Sequence, residues 1–353
     1  MKRKMKILFL YTELAGYFIS CLDNLSKRGM EIHLVHLPVN KEAPFNFFFD
    51  EKIFRYLRNQ FDNKRLMELA STISPDAIYC SGWTDKGYLG VCKSFKNTIP
   101  VILGFDNKWT GSIKQRGAVL LAKQLIHRAF THCWIPGKAQ LEFAHRLRFA
   151  EDRILTGFYS CNYKFFHGLF LQFREQKKKK FPHRFIFTGR YYDFKGIRDL
   201  WEAFVAFKEE NSNDWELWCL GTGNVTPEIH PDIKHFGFVQ PIDMDKFISE
   251  TGVFILPSHF EPWGVAVHEF ASAGFPIICS NKVGAAETFL KNGRNGFIFQ
   301  SGNIIELKNI LKKISLMRDV KLMELGEKSA ELARQITPDK WSDCLCSVLK
   351  QAD

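Results

Sequence analysis

No two cysteines in this chain stand in a C-x-x-C spacing, and no histidines fall in an H-x-x-x-H or H-E-x-x-H pattern. The nine cysteines are scattered and odd in number, which argues against a zinc ribbon or a closed disulfide framework and suits reduced, mostly buried thiols. No structural metal is expected. Long apolar runs are also missing, since nothing approaches the roughly 18–20 residues needed to span a bilayer. The opening "MKRKMKILFLYTELAG" places basic residues ahead of an apolar stretch. That stretch, "KILFLY", is short and runs into "TELAG" without a small-residue cleavage site, so it reads as a first β-strand rather than a leader. No internal repeat stands out.

What is present is length, an ordinary core composition and an uneven charge. At 353 residues the chain exceeds a typical single domain, so two domains are the default. The net charge of +11 is concentrated in one half. Residues 1–180 carry 30 Lys and Arg against 15 Asp and Glu, while the rest carries 19 against 23. A basic half joined to a mildly acidic one suggests that the first half faces an anionic partner, such as a phospholipid surface, a phosphorylated acceptor or nucleic acid.

Short apolar runs alternate with longer amphipathic stretches. In the first half, strands are predicted at 6–11, 31–37, 77–82, 101–105, 131–136 and 153–158, with a helix over 114–130. Residues 159–180 run into the charged stretch "REQKKKKFPHR" (174–184) and read as an interdomain linker. A second series follows at 184–190, 215–221, 233–239, 253–258, 276–280 and 296–300, then amphipathic helices at 303–317, 320–335 and 338–350. Apolar strands alternating with helices imply parallel sheets covered on both faces, here two Rossmann-like α/β domains facing across a cleft. The expected boundaries are 1–165, a linker at 166–183, 184–335, and a C-terminal helix over 336–353 that packs outside or back on the first domain.

Ligands of such sheets bind beyond the carboxyl ends of the strands. After "RFIFT" come Gly189 and Arg190, and five residues beyond the arginine Lys195-Gly196 opens a helix. Two cations and the free amides of a helix start suit a diphosphate; a solvated loop with incidental cations is the competing reading. After "VFILPS" comes "HFEPWGVAVHEFASAGFPIICS", with Glu261 on a loop and Glu269 about a turn inside the next helix. Amides near Gly264 and Val265 suit a phosphate or hydroxyl, and a carboxylate at Glu269 can accept both hydrogen bonds of a ribose diol. His268 reads as packing on its helix. "DMD" at 243–245 reads as a helix start rather than a metal site, and "GTGN" at 221–224 lacks the third glycine of a dinucleotide fingerprint.

Taken together, "FTGRYYDFKGIRDL", "LWCLGTGN", "KHFGFV", "LPSHFEPWGVAVHEFASAGFPIICS" and "VGAAETFLKNGRNGFIF" resemble the retaining family 4 glycosyltransferases of the GT-B fold, over about residues 184–300. The resemblance implies that Arg190 and Lys195 bind a donor diphosphate, Glu261 the donor sugar, Glu269 the ribose, and the backbone around Phe238 the base. The first half departs from the family. Only Gly16 stands where a glycine-rich loop is usual, leaving it as the candidate donor contact there. Phe105 stands where a histidine precedes the aspartate, leaving Asp106 as the candidate to contact donor or acceptor.

The activity so implied is metal-independent transfer of a sugar from a nucleotide diphosphate sugar, a UDP-sugar over a GDP-sugar, with retention and without a cofactor. The acceptor is expected to be a saccharide or lipid-linked saccharide in bacterial cell-surface polysaccharide synthesis. The expected location is cytoplasmic, peripheral at the inner face of the membrane. The stretches 45–61 and 114–130 mix aromatic, aliphatic and basic residues as membrane-surface segments do, or are ordinary amphipathic helices. Two other readings remain open: a sugar-nucleotide epimerase on the same fold, and a non-catalytic protein using the basic half. No nucleic-acid partner is expected. Neither the sugar nor the linkage is legible.

Overall fold

The structure, a computed structural model, describes residues 4–40, 42, 44–210 and 212–350. It divides into two compact units, one comprising residues 1–160 and 338–353 and the other residues 161–337.

The first unit is built on seven parallel strands: β1 (Lys6–Leu10), β2 (Glu31–His36), β3 (Ile53–Leu57), β4 (Ala77–Ser81), β5 (Val101–Gly104), β6 (His132–Trp134) and β7 (Ile154–Leu155), in the spatial order β3-β2-β1-β4-β5-β6-β7. Alternation along the strands feeds two cores, because successive side chains leave opposite faces of a sheet. Leu8, Leu10, Ile78 and Leu103 join one buried cluster. Ile7, Phe9, Tyr79 and Ile102 join the other. The second cluster is sealed by the helix Pro338–Lys350, whose Trp341 stacks on Trp134 with ring centroids 4.7 Å apart. That helix is pinned to Gly16–Lys27 by Arg28 to Asp343 at 2.5 Å and by the Ser342 hydroxyl donating to Asn24. It occupies 338–350 of the expected 336–353; residues 351–353 lie outside those described.

Two expectations for this unit change. The stretch 45–61 holds no α-helix. "IFRYL", rich in β-branched and aromatic residues, becomes β3, pairing in parallel with β2 as an edge strand that leaves Phe54 exposed. The helix predicted over 114–130 is two short helices, Ile113–Leu120 and Ala122–Leu125, separated at Leu121 and weakened by Gly117.

The second unit has six parallel strands: β8 (Arg184–Thr188), β9 (Glu216–Leu220), β10 (Ile233–His235), β11 (Val253–Leu256), β12 (Ile277–Ser280) and β13 (Gly296–Phe299), in the order β10-β9-β8-β11-β12-β13. The segment read as a linker, 166–183, is instead mostly helix. Tyr163–Lys179 forms one helix of this unit, capped by Asn162 and anchored by buried Phe166 and Leu169. Its lysine run sits at the carboxyl end, where cations suit the helix dipole. One of them, Lys177, turns inward, donates to the Thr251 carbonyl at 2.8 Å and lies over the Phe275 ring.

Both sheets reverse strand order beside their first strand, between β1 and β4 and between β8 and β11. In open α/β sheets the crevice for a ligand opens at such a switch point, past the carboxyl ends of the strands.

Candidate active site

The switch point of the second unit is where the chain concentrates its motif residues. After β8, Gly189 donates to the Leu220 carbonyl and Arg190 enters a turn, half-buried. A single 3-10 turn, Asp193–Lys195, then delivers Lys195 before the helix Ile197–Glu210 begins. Gly196 closes that turn with φ +67°, and a Cβ there would stand 2.3 Å from the Pro257 carbonyl oxygen. Glycine is required twice over, by the left-handed backbone and by the closeness of the loop after β11.

That loop, residues 257–264, is held from three sides. The His259 and Phe260 amides both donate to the Phe194 carbonyl. The Gly284 amide donates to Glu261, and Ala285 to Trp263. Glu261 is therefore fixed by its backbone, and its carboxylate forms an ion pair with Lys195. The Ser258 hydroxyl lies 3.5 Å from the same oxygen. Gly264, at φ +92°, starts the helix Val265–Ser272, and a Cβ on it would press on the Glu261 side chain. The sequence spacing thus brings Lys195, Glu261, Gly264 and Val265 to one place.

Glu269 lies one turn further along that helix. Its carboxyl has no hydrogen-bond partner among the described residues, and the surrounding protein desolvates it and pushes its pKa up to about 7. A desolvated acid without a partner can accept hydroxyl groups from a ligand at little cost. His268 is structural: its Nδ1 accepts from the Cys161 amide, its Nε2 donates to the Ala333 carbonyl, and its ring stacks on Phe289. Burial lowers its pKa to about 4, so it stays neutral. Phe238 sits past β10 in a loop whose Gly237 carbonyl accepts from the Gly221 amide, beside the end of β9. Asp243 begins a helix, as "DMD" suggested, but its side chain caps nothing.

In the first unit, Gly16 opens the helix Gly16–Lys27 directly after β1. Asp106 follows β5 and lines an open cavity of about 240 Å³ with Tyr79, Ser81, Trp83, Asn107 and Tyr159. The Tyr159 hydroxyl donates to Asp106 at 3.3 Å, and Gln140 donates to the Asp106 carbonyl. Gly104 leaves room for the Tyr79 hydroxyl, which would overlap any Cβ there at 1.6 Å. Trp83 meets Phe105 edge to face at 6.2 Å and remains half-buried at the cavity wall. Sequence reasoning found Asp106 but missed Trp83, Asn107 and Tyr159. The signal available was modest, a run of small and polar residues just past two adjacent strands, "SGWT" and "GFDN".

Two doubly wound parallel sheets in one chain, each with its crevice at the strand reversal, define the GT-B class of fold. A glycosyltransferase from Rickettsia africae shares it at a TM-score of 0.74 and 14% identity, covering 99% of this chain and 98% of that one. So does Anabaena HepE, solved in complex with UDP and glucose, at a TM-score of 0.72 and 15% identity over 98% and 100% of the two chains. Within this fold, residues 182–316 match the family model described as "Glycosyl transferases group 1". The capsular polysaccharide biosynthesis glycosyltransferase CapM of Staphylococcus aureus is 29% identical over 154 residues, 39% of this chain. The match spans little more than a third, 37%, of that relative's own length.

Proposed function

We propose that the protein transfers a sugar from a nucleoside diphosphate sugar, a UDP-sugar by preference, to a saccharide or lipid-linked saccharide, with retention at the anomeric carbon. The observation that carries this reading is the Lys195–Glu261 pair, locked at the switch point of the second sheet beside two helix starts. The UDP bound in HepE supports a nucleoside diphosphate as the ligand class.

The chemistry follows from charge. Departure of the nucleoside diphosphate leaves negative charge on its phosphates while positive charge grows on the sugar. Lys195 has three N–H donors, so it can keep Glu261 and still reach a phosphate oxygen. Arg190 and the amides at Gly264 and Val265 add donors. Each charge-assisted bond contributes about 1.5–3 kcal/mol, and preorganised donors lower the barrier because they need not reorient. These cations supply the positive charge, so we infer a metal-independent reaction. Glu261, held beside Lys195, accepts donor-sugar hydroxyls, and Glu269 accepts the ribose diol. The base lies against the backbone near Phe238. The first unit supplies the acceptor side through Asp106, which lies in a cavity sized for one sugar ring with Trp83 as an apolar wall. Gly16, which opens a helix at its switch point, is a donor contact. CapM, named for capsular polysaccharide biosynthesis, supports a cell-surface glycan as the product.

The test is release of UDP from a panel of UDP-sugars. With acceptor present, Lys195→Ala should lower the rate by about 10²–10³, as loss of one transition-state donor does elsewhere. A near-normal rate in that variant would remove Lys195 from the mechanism. Incubation with donor alone adds a control, because an epimerase interconverts the nucleotide sugar and releases no UDP.

A further inference from the structure

We infer that the first unit docks on an anionic lipid surface through the helix Ile113–Leu120 and the turn that follows it. This does not depend on the reaction proposed above, because it rests on different residues. From residue 107 to residue 141 the chain has no Asp or Glu and six Lys or Arg. Within that stretch the helix is oriented in an unusual way for a surface helix. Ala118 and Val119 pack against the core cluster. The opposite face carries Ile113, Arg116, Gly117 and Leu120, which fall together at helical spacing.

Ile113 is 89% exposed, Leu120 77% and Leu121 46%. Soluble surfaces scatter single apolar residues but seldom align large aliphatics on an outer helix face. Around them stand Lys114, Arg116, Lys123 and Arg128, all exposed and, among the described residues, without an acidic partner. Aliphatics pointing outward within a rim of unpaired cations match the two demands of an anionic bilayer interface: insertion below the headgroups and attraction to their charge. A single-stranded nucleic acid would call for aromatic platforms rather than isoleucine and leucine at the centre. A second copy of the chain would bring the same unpaired cations against themselves. Among the described residues no helix is long and apolar enough to cross a membrane, so the contact is peripheral.

Sedimentation of the full chain with vesicles tests this. The wild type should bind vesicles of phosphatidylcholine and phosphatidylglycerol in equal parts, should not bind pure phosphatidylcholine, and should be released by high salt. Ile113→Ser with Leu120→Ser should weaken binding about tenfold, and Lys114→Glu with Arg116→Glu and Lys123→Glu at least as much. All five positions are exposed, so UDP binding and thermal melting serve as controls that the fold and the donor site are intact. Undiminished binding by the serine pair would overturn the assignment of this helix. So would a wild type that ignores anionic vesicles, that binds single-stranded RNA in their place, or that self-associates through a contact the serine pair abolishes.

Discussion

The two units share a strand order and a switch point but use them differently. In the second, the crevice is rimmed by backbone held at van der Waals limits. Gly196 lies against the Pro257 carbonyl, Gly264 against Glu261, and a loop is bonded from three sides. In the first, the crevice is lined by large side chains, and the close approach there is of the Tyr79 hydroxyl to Gly104. Tyr79, Trp83, Tyr159 and Asp106 come from well-separated strands and loops around an open cavity. The same scaffold can therefore hold a site rimmed by backbone and defined by motifs, or one defined by side chains. A fixed ligand portion, such as a diphosphate, suits the first kind, and a variable acceptor suits the second.

The sharpest way to break this contrast is steric. Gly196→Ala should disable the donor side, because its Cβ meets backbone that cannot yield and the left-handed φ adds strain of about 1–3 kcal/mol. UDP affinity should fall at least about tenfold and the melting point should drop by several degrees. In the first unit, Gly82 also has positive φ but nothing lies within 4 Å of a Cβ. Gly82→Ala should therefore cost backbone strain alone and leave UDP affinity unchanged.

A second change addresses the acceptor side. Trp83→Ala should raise the acceptor KM about tenfold, or about 1.4 kcal/mol, with donor KM unaltered, as steady-state kinetics with both substrates varied would show. Equal effects on both substrates would erase the functional division between the units.

Glu269 sharpens the comparison through pH. Burial raises its pKa to about 7, so the carboxylate that would accept a ribose diol is half protonated at neutral pH. UDP affinity should rise with pH through 7, by up to about tenfold per unit below it. Glu269→Gln should bind more weakly and lose that dependence, which calorimetry across pH 6–8 would reveal.

The smallest expected effect concerns stability. Desolvation lowers Lys177 to about 7, below its usual range near 10.5. Between those values the unfolded chain holds a proton that the native state lacks, so this group makes stability rise with pH. Lys177→Met should keep or slightly raise the melting point at pH 7 and flatten its rise towards pH 10.

How much of this was legible in the sequence follows from the same contrast. Strands buried on both faces, such as β1 and β11, show as continuous apolar runs. The edge strand β3 does not, because one of its faces is wet and its residues also fit an amphipathic helix. The stretch Tyr163–Lys179 reads as a linker because its lysines mask the few anchors, Phe166 and Leu169, that bind it to the second unit. Lys195, Glu261 and Gly264 stand out because backbone closeness fixes their spacing. Trp83 and Tyr159 are 76 positions apart and meet only through the fold, so no local pattern marks them.

The central claim is that the Lys195–Glu261 crevice binds a nucleoside diphosphate, and titration calorimetry with UDP tests it most directly. The wild type should bind UDP, and Lys195→Ala should lose about 1.5–3 kcal/mol of that affinity while Trp83→Ala retains all of it. A wild type that takes up no UDP or other nucleoside diphosphate, or a Lys195→Ala variant that binds as well as the wild type, would contradict the account.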